Sequence, residues 1–383
     1  MRSKMAFQFN ESDQELLVSI AEHRVLTVRH LAMLLRRNSN ALRRRLKILS
    51  AQGLIEVAGR PFGRNRGRPE SLVSLRGAGV ELLKTSKLID SSLPADRVTA
   101  QNIHFLDHEL LVNDFRVHLT EMEQIVPALS IQFFSANSPL LVRGSDDRPL
   151  VHEKMDSDDG SYDGTGFVPD GVIGVTHTEL DRTLLFFLEA DRGTEPRNSP
   201  RHSNRGIRKK ILNYQRYFAV EQYKRYEKIL KCKLRGFRLL ILTEDRARFA
   251  ALCRLVRAMP PSGFVWLAGR ESLLSQGLWS RIWVRGGKVN EPLQSILGSK
   301  APNPRPTPPR RPNADGQATG AVSTVVSPPA GCAPGKTPRL IISENACANV
   351  LTSRFAVPWS RSTAAIARAT RVNICRGVRR PAR

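Results

Sequence analysis

The sequence predicts an α/β chain, α+β overall, in which a helical N-terminal segment precedes a segment with a mixed central sheet and then a disordered basic segment. Apolar residues recur at helical spacing through the first part of the chain. Runs typical of buried strands alternate with helical patterns in residues 127–298, and the composition changes abruptly to Pro, Ala, Arg and Ser near residue 300. Strands that alternate with helices of this length are typical of a sheet covered by helices.

The N-terminal segment shows helical patterns followed by strand-like runs. The helical patterns cover residues 11–24, 27–35 and 39–52. Thr27 is of a residue type that caps helices, Ser39 opens the third pattern, and Gly53 ends it. The strand-like runs cover residues 54–58 and 71–75, with a Gly- and Arg-rich stretch between them. The predicted order is therefore helix, helix, helix, hairpin.

The segment with the mixed sheet follows a long helical pattern that runs from Asn102 to about Gln124. Strands are predicted at residues 130–136, 167–175, 183–191, 236–243 and 264–268, and helices at 205–230 and 247–258. Trp279–Val284 is predicted to add a last strand. Beyond Lys300 the apolar periodicity needed for a core is missing, which predicts disorder.

Charge is the feature of the composition that says most about partners. The chain has 383 residues, 41% of them hydrophobic, and a formal net charge of +25. The hydrophobic content is ample for packed cores, and the charge favours a polyanionic partner, for which nucleic acid is the leading candidate. The alternative is that the excess charge serves only solubility.

The cysteines and the hydropathy pattern indicate the compartment. The five cysteines are scattered and show no C-x-x-C spacing for zinc or a disulfide framework. The N-terminus has no apolar signal core, and no apolar run approaches the length of a membrane span. We therefore expect a cytoplasmic protein without a membrane partner.

Basic residues concentrate at two places in the N-terminal segment. They are Arg43, Arg44, Arg45 and Lys47 on the third helix, and Arg60, Arg64, Arg66 and Arg68 between the two strands. With Ala51–Ile55 before the hairpin and Leu75–Gly79 after it, residues 1–90 resemble a winged helix-turn-helix domain. The resemblance implies binding to double-stranded DNA through both clusters, whereas the alternative is a solvated charged face.

Carboxylates stand at the ends of two neighbouring predicted strands. Glu189 and Asp191 are two residues apart, so they share a face of their strand, and Asp170 follows Pro169 one strand earlier. Three carboxylates that converge would form a site for Mg²⁺. The alternative is that these acids form salt bridges with Arg192 or Lys210, because buried acids need a positive partner.

Two histidines four residues apart, His104 and His108, lie on the long predicted helix. This spacing can chelate a metal ion, but the same stripe continues in apolar residues. We therefore favour packed histidines over metal ligands.

The segments 167–173 and 184–195, followed by a helix with Lys209 and Lys210, resemble the PD-(D/E)XK nuclease fold. In that family an Asp and a Glu bind one or two magnesium ions, and a lysine two residues after the Glu assists. Asp191 occupies that lysine position here, so Lys209 or Lys210 would have to replace it. The resemblance implies a catalytic set of Asp170, Glu189, Asp191 and Lys210, of which the three acids would bind Mg²⁺.

The arrangement over about residues 10–285 also resembles the replication-relaxation family of plasmid and mobile-element proteins. The shared motifs are Pro169-Asp170, the segment 189–195 and Lys-Lys-Ile-Leu-Asn-Tyr at 209–214. The resemblance implies a role in plasmid replication or relaxation, with other replication or relaxation proteins as partners. It leaves open a magnesium-dependent DNA endonuclease, and a non-catalytic accessory protein or transcriptional regulator with a degenerate nuclease fold.

The predicted domain organisation follows from these segments. Residues 1–90 form the winged helix-turn-helix domain, 91–126 a linker and connecting helix, 127–298 the nuclease-like α/β domain, and 299–383 the disordered tail. The sequence does not indicate the oligomeric state or the DNA site.

Overall fold

A computed structural model describes residues 7–59, 70–100, 106–135, 138, 153, 167–193 and 203–298. The α-helices are α1 (Glu11–His23), α2 (Val28–Leu34), α3 (Ser39–Ala51), α4 (Gly77–Thr85), α5 (Ala95–Val98), α6 (Leu106–Ile125), α7 (Ser203–Ala219), α8 (Arg225–Leu230), α9 (Arg246–Arg257) and α10 (Arg270–Gln276). The strands are β1 (Val25–Thr27), β2 (Ile55–Gly59), β3 (Ser71–Leu75), β4 (Leu129–Phe134), β5 (Gly171–His177), β6 (Arg182–Asp191), β7 (Phe237–Thr243), β8 (Val265–Gly269) and β9 (Val284–Arg285).

The N-terminal segment packs α1, α2 and α3 against a three-stranded antiparallel sheet in the order β1-β3-β2. The predicted helices and hairpin strands are confirmed. Thr27 caps α2 by accepting a hydrogen bond from the His30 N–H, and Gly53 adopts a φ of +71° after α3. β1 was not predicted, because a strand of three residues directly before a helix is too short to show the alternation typical of strands.

The central sheet has six strands in the order β4-β5-β6-β7-β8-β9. The β6-β7 and β7-β8 pairs are parallel and the others antiparallel, so the predicted mixed sheet is confirmed. Apolar side chains cover both faces, with Phe187 and Tyr214 in one core and Phe186 and Phe115 in the other. Successive side chains of β6 thus pack alternately into the two cores, as in a strand that is buried on both faces.

The single helix predicted at residues 205–230 is wrong. The structure divides it into α7, a 3-10 turn at Gln222–Lys224 and α8. Glu221 takes a left-handed conformation with a φ of +54°, which ends the helical path and lets Tyr223 enter the core. Helical periodicity alone does not reveal such a break. Of the strand predicted at residues 279–284, only Val284 lies in a strand, as the first residue of β9.

Helix α6 connects the two parts of the chain, which belong to one compact unit. Leu111 and Phe115 of α6 pack in a sheet core, whereas Val117 packs with the N-terminal helices. Asn113 donates hydrogen bonds to the carbonyl oxygens of His23 (3.0 Å) and Val25 (2.8 Å). The helix predicted to connect two domains is therefore part of both cores.

Among the described residues, no helix is long and apolar enough to cross a membrane. The predicted disordered tail lies outside the described residues.

Candidate nucleic-acid interface and carboxylate site

Helix α3 separates its apolar and basic residues onto opposite faces. Leu42, Leu46 and Leu49 are buried in the N-terminal core. Arg43, Arg44 and Lys47 are exposed, and α3 contains no acidic residue. We call these three residues the α3 basic face. Its positive charge is therefore not neutralised within the helix, as a phosphate-binding surface requires.

Arg45 has a different role from its neighbours. Its guanidinium pairs with Asp13, which is fully buried, and donates to the Gln8 carbonyl oxygen at 2.9 Å. It also lies over the ring of Phe7, 5.4 Å from the ring centroid. Arg45 thus holds the start of α1 against α3, since Asp13 belongs to the capping box of α1. The predicted DNA contacts Arg60, Arg64, Arg66 and Arg68 lie outside the described residues.

Asp170 lies at the start of β5, beside the end of β6. Its N–H donates to the Leu188 carbonyl oxygen at 3.0 Å, and its Oδ2 accepts from the Ala190 N–H at 2.8 Å. His108 Nε2 of α6 lies 3.1 Å from the same oxygen, and this hydrogen bond raises the pKa of His108. His108 is therefore a partner of Asp170, while His104 lies outside the described residues.

Glu189 is the most deeply buried of the predicted site acids, with 2% of its surface exposed. Tyr214 donates its hydroxyl hydrogen to Oε1 at 2.8 Å, and Lys210 pairs with Oε2. Burial raises the pKa of Glu189 to about 7; the charge of Lys210 opposes this shift and that of Asp170 adds to it. Asp170, Glu189 and Lys210, three of the four residues of the predicted catalytic set, therefore lie near one another.

Asp191 makes different contacts from Glu189, although both residues lie on β6. Arg248 of α9 donates to Asp191 from Nε at 3.1 Å and from Nη2 at 2.7 Å. The Gly193 N–H donates to Oδ1 at 2.7 Å. The carboxylate of Asp191 is therefore neutralised by an arginine that is distant in sequence.

Donors of the chain already contact each of the three carboxylates that Mg²⁺ would need. Lys210 and Tyr214 occupy Glu189, Arg248 occupies Asp191, and His108 and a backbone N–H contact Asp170. Within the described ranges, no group of three or more His, Cys, Asp or Glu side chains could hold a metal ion. In this arrangement the three acids do not fit a magnesium ion as a set of ligands, because both oxygens of Glu189 and both oxygens of Asp191 already accept hydrogen bonds from the chain.

Glu189 and Asp191 therefore form salt bridges, as in the alternative interpretation, but Arg248 and not Arg192 is the arginine that pairs with Asp191. Lys210 pairs with Glu189, as that alternative expected. Arg192 contacts none of the three acids in any hydrogen bond or ion pair described here; it pairs with Asp107 at 2.7 Å and Glu244 at 3.1 Å.

Two buried carboxylates outside the predicted site, Asp114 and Glu153, connect elements that are distant in sequence. Asp114 of α6 contacts His30 of α2 at 2.7 Å and Arg270 of α10 at 2.6 Å. Burial alone would raise the pKa of Asp114, but the contacts with His30 and Arg270 outweigh it and the pKa lies below its ordinary value. The contacts of Asp114 with His30 and Arg270 therefore link α2 of the N-terminal segment, α6 and α10. An Asp in a helical pattern gave no signal of this role in the sequence.

Glu153 is the second of these carboxylates and is 1% exposed. It accepts hydrogen bonds from the hydroxyls of Tyr217 (2.6 Å) and Tyr226 (2.5 Å) and from Arg225 (3.1 Å). Burial raises its pKa. Because its partners come from α7 and α8, it ties both helices to the segment before β5.

A sequence model of the replication-relaxation family matches residues 17–231, more than half of the chain. The match includes the α3 basic face and Asp170, Glu189 and Lys210, but not Arg248. No curated protein and no solved structure matches the chain.

Proposed function

Because the chain belongs to the replication-relaxation family, which supports a role in the replication or relaxation of plasmids or mobile elements, we propose that it acts there as a duplex-DNA-binding accessory protein. In this proposal the α3 basic face contacts DNA. The carboxylate site stabilises the sheet and does not cleave DNA.

The observation that carries the proposal is the exposed, acid-free α3 basic face on a helix preceded by a second short helix. Helices α2 and α3 are followed by a two-stranded hairpin, the order of a winged helix-turn-helix domain. In helix-turn-helix proteins the second helix of the pair lies in the major groove. Arg43, Arg44 and Lys47 would then meet phosphates or base edges.

The proposal predicts that an Arg43→Ala, Arg44→Ala, Lys47→Ala variant binds duplex DNA at least about tenfold more weakly than the parent. The three side chains are exposed, so the loss should not come from unfolding. Electrophoretic mobility shift of a labelled duplex measures the affinity.

A matched control removes the same charge elsewhere. Lys228, Lys233 and Lys288 are exposed residues remote in sequence from α3, so their replacement by Ala should change the affinity much less. Equal losses in the two variants would show that only net charge matters. Parent-like binding by the α3 variant would contradict the proposed interface.

A second candidate function is magnesium-dependent nicking or cleavage of DNA. The observation in its favour is that Lys210 contacts Glu189, which lies near Asp170. The nuclease resemblance implies a lysine beside these two acids. Against it, Lys210 and Tyr214 already occupy the Glu189 oxygens.

We expect supercoiled plasmid to remain intact when the full chain is incubated with it and Mg²⁺ or Mn²⁺. Agarose gel electrophoresis separates supercoiled, nicked and linear forms. Nicking by the parent that disappears in an Asp170→Ala variant would establish the nuclease and overturn the accessory role. Nicking that persists in this variant would indicate a contaminant.

A further inference from the structure

Helices α7 and α9 lie side by side on one face of the six-stranded sheet. Each belongs to a crossover between parallel neighbouring strands, and such crossovers share one handedness. Tyr214 of α7 and Val256 of α9 pack in the same core. Gln215 of α7 donates to the Met259 carbonyl oxygen just after α9, at 3.0 Å. The outer sides of the two helices therefore contribute to the surface on this side of the sheet.

This surface carries positive charge without acidic residues on either helix. Neither α7 nor α9 contains an Asp or a Glu. The exposed basic residues that define the outer basic surface are Arg208, Lys209, Arg216, Arg254 and Arg257. Residues four apart on a helix lie on the same side of it. Arg208 and Arg216 are eight residues apart, so they lie on one side of α7, about 12 Å from each other.

Among the described residues, no acidic side chain neutralises the charges of the outer basic surface. Elsewhere around the sheet, Arg248 pairs with Asp191 and Arg270 with Asp114. Within the described part of the chain, by contrast, the five residues of the outer basic surface have no acidic partner. Uncompensated like charges repel one another, and a bound polyanion would relieve that repulsion.

The outer basic surface and the α3 basic face belong to opposite sides of the sheet. The N-terminal segment contacts α6 and α10, through the pair of His30 with Asp114 and through Arg29, which donates to the Leu274 carbonyl oxygen at 3.2 Å. Helices α6 and α10 pack in the core opposite to that of α7 and α9. One straight duplex held by α3 would therefore not lie along the outer basic surface.

We propose that the outer basic surface binds the phosphate backbone of a second duplex, so that one chain bridges two DNA segments. The proposal rests on the proposed function for the first segment. Arginine and lysine contacts suffice for phosphates, whereas a protein partner would need a cluster of apolar or aromatic anchors. The large apolar side chains exposed on α7 are Leu212 and Phe218, and α9 exposes none.

The test measures DNA bridging and binding to a single duplex with the same full chain. An immobilised duplex captures a labelled second duplex in the presence of the parent, the outer variant (Arg208→Ala, Arg216→Ala, Arg254→Ala and Arg257→Ala) or the α3 variant. A control variant replaces four exposed basic residues elsewhere with Ala, namely Lys228, Lys233, Arg235 and Lys288. Thermal melting checks that each variant is folded.

We expect the outer variant to capture at least about fivefold less second duplex than the parent and the control, while it still binds a single duplex. Parent-level capture by the outer variant would overturn the proposal, since bridging would then arise from pairs of chains or another surface. Single-duplex binding without capture by the parent would also overturn it. If the outer variant loses single-duplex binding and the α3 variant keeps it, the α3 interface is wrong and the outer basic surface is the DNA-binding surface. If the parent binds no duplex, both proposed DNA-binding surfaces are wrong.

Discussion

Replacing Asp114 by Ala should lower the free energy of unfolding by about 3 kcal/mol, because removal of one partner of a buried ion pair leaves the other charge uncompensated. Asp114 is 3% exposed and contacts both His30 and Arg270. The loss would affect the N-terminal segment and the sheet together, since the three residues come from α2, α6 and α10. Urea denaturation followed by circular dichroism measures the change.

Asp107 on the same helix provides the control for Asp114. It is more than a third exposed and pairs with Arg192, so Asp107→Ala should cost less than about 1 kcal/mol. Equal effects of the two substitutions would contradict the role of Asp114, because they would show that helix propensity or net charge dominates.

Replacing Arg248 by Met should also destabilise the protein by about 3 kcal/mol, because Asp191 would remain buried without its cation. Adding Asp191→Leu should restore most of the lost stability, since an apolar pair can replace a buried ion pair at little cost. Denaturation of the parent, the two single variants and the double variant gives the coupling energy directly.

This cycle also decides whether Asp191 is a structural residue or a metal ligand. In our account magnesium changes the stability of none of the variants. If Arg248→Met is neutral and magnesium stabilises it, Asp191 is available to a cation and the structural role is wrong.

Periodicity in the sequence was sufficient to predict much of the fold. The leucines of α3 place Arg43 and Arg44 outward, and the apolar run of β6 identifies a strand buried on both faces. These features depend on neighbours within a few residues, which the sequence shows directly.

The partners of the charged residues could not be predicted in the same way. Arg45 follows Arg44 in sequence, yet it pairs with Asp13 because of the way α1 packs on α3. Asp191 and Arg248, which are 57 residues apart in sequence, meet because the first turn of α9, after β7, lies near the end of β6. Such pairs depend on tertiary packing, so the predicted magnesium site could not be distinguished from ion pairs by sequence alone.

The salt dependence of duplex binding tests the central claim, that the α3 basic face binds DNA phosphates, most directly. Affinity is measured from 50 to 200 mM salt for the full chain and for the Arg43→Ala, Arg44→Ala, Lys47→Ala variant, and log affinity is plotted against log salt concentration. Each phosphate contact contributes about 0.9 to the slope, so the variant's slope should be shallower by roughly 2 to 3. Identical slopes for parent and variant, or no duplex binding by the parent at 50 mM salt, would contradict the account.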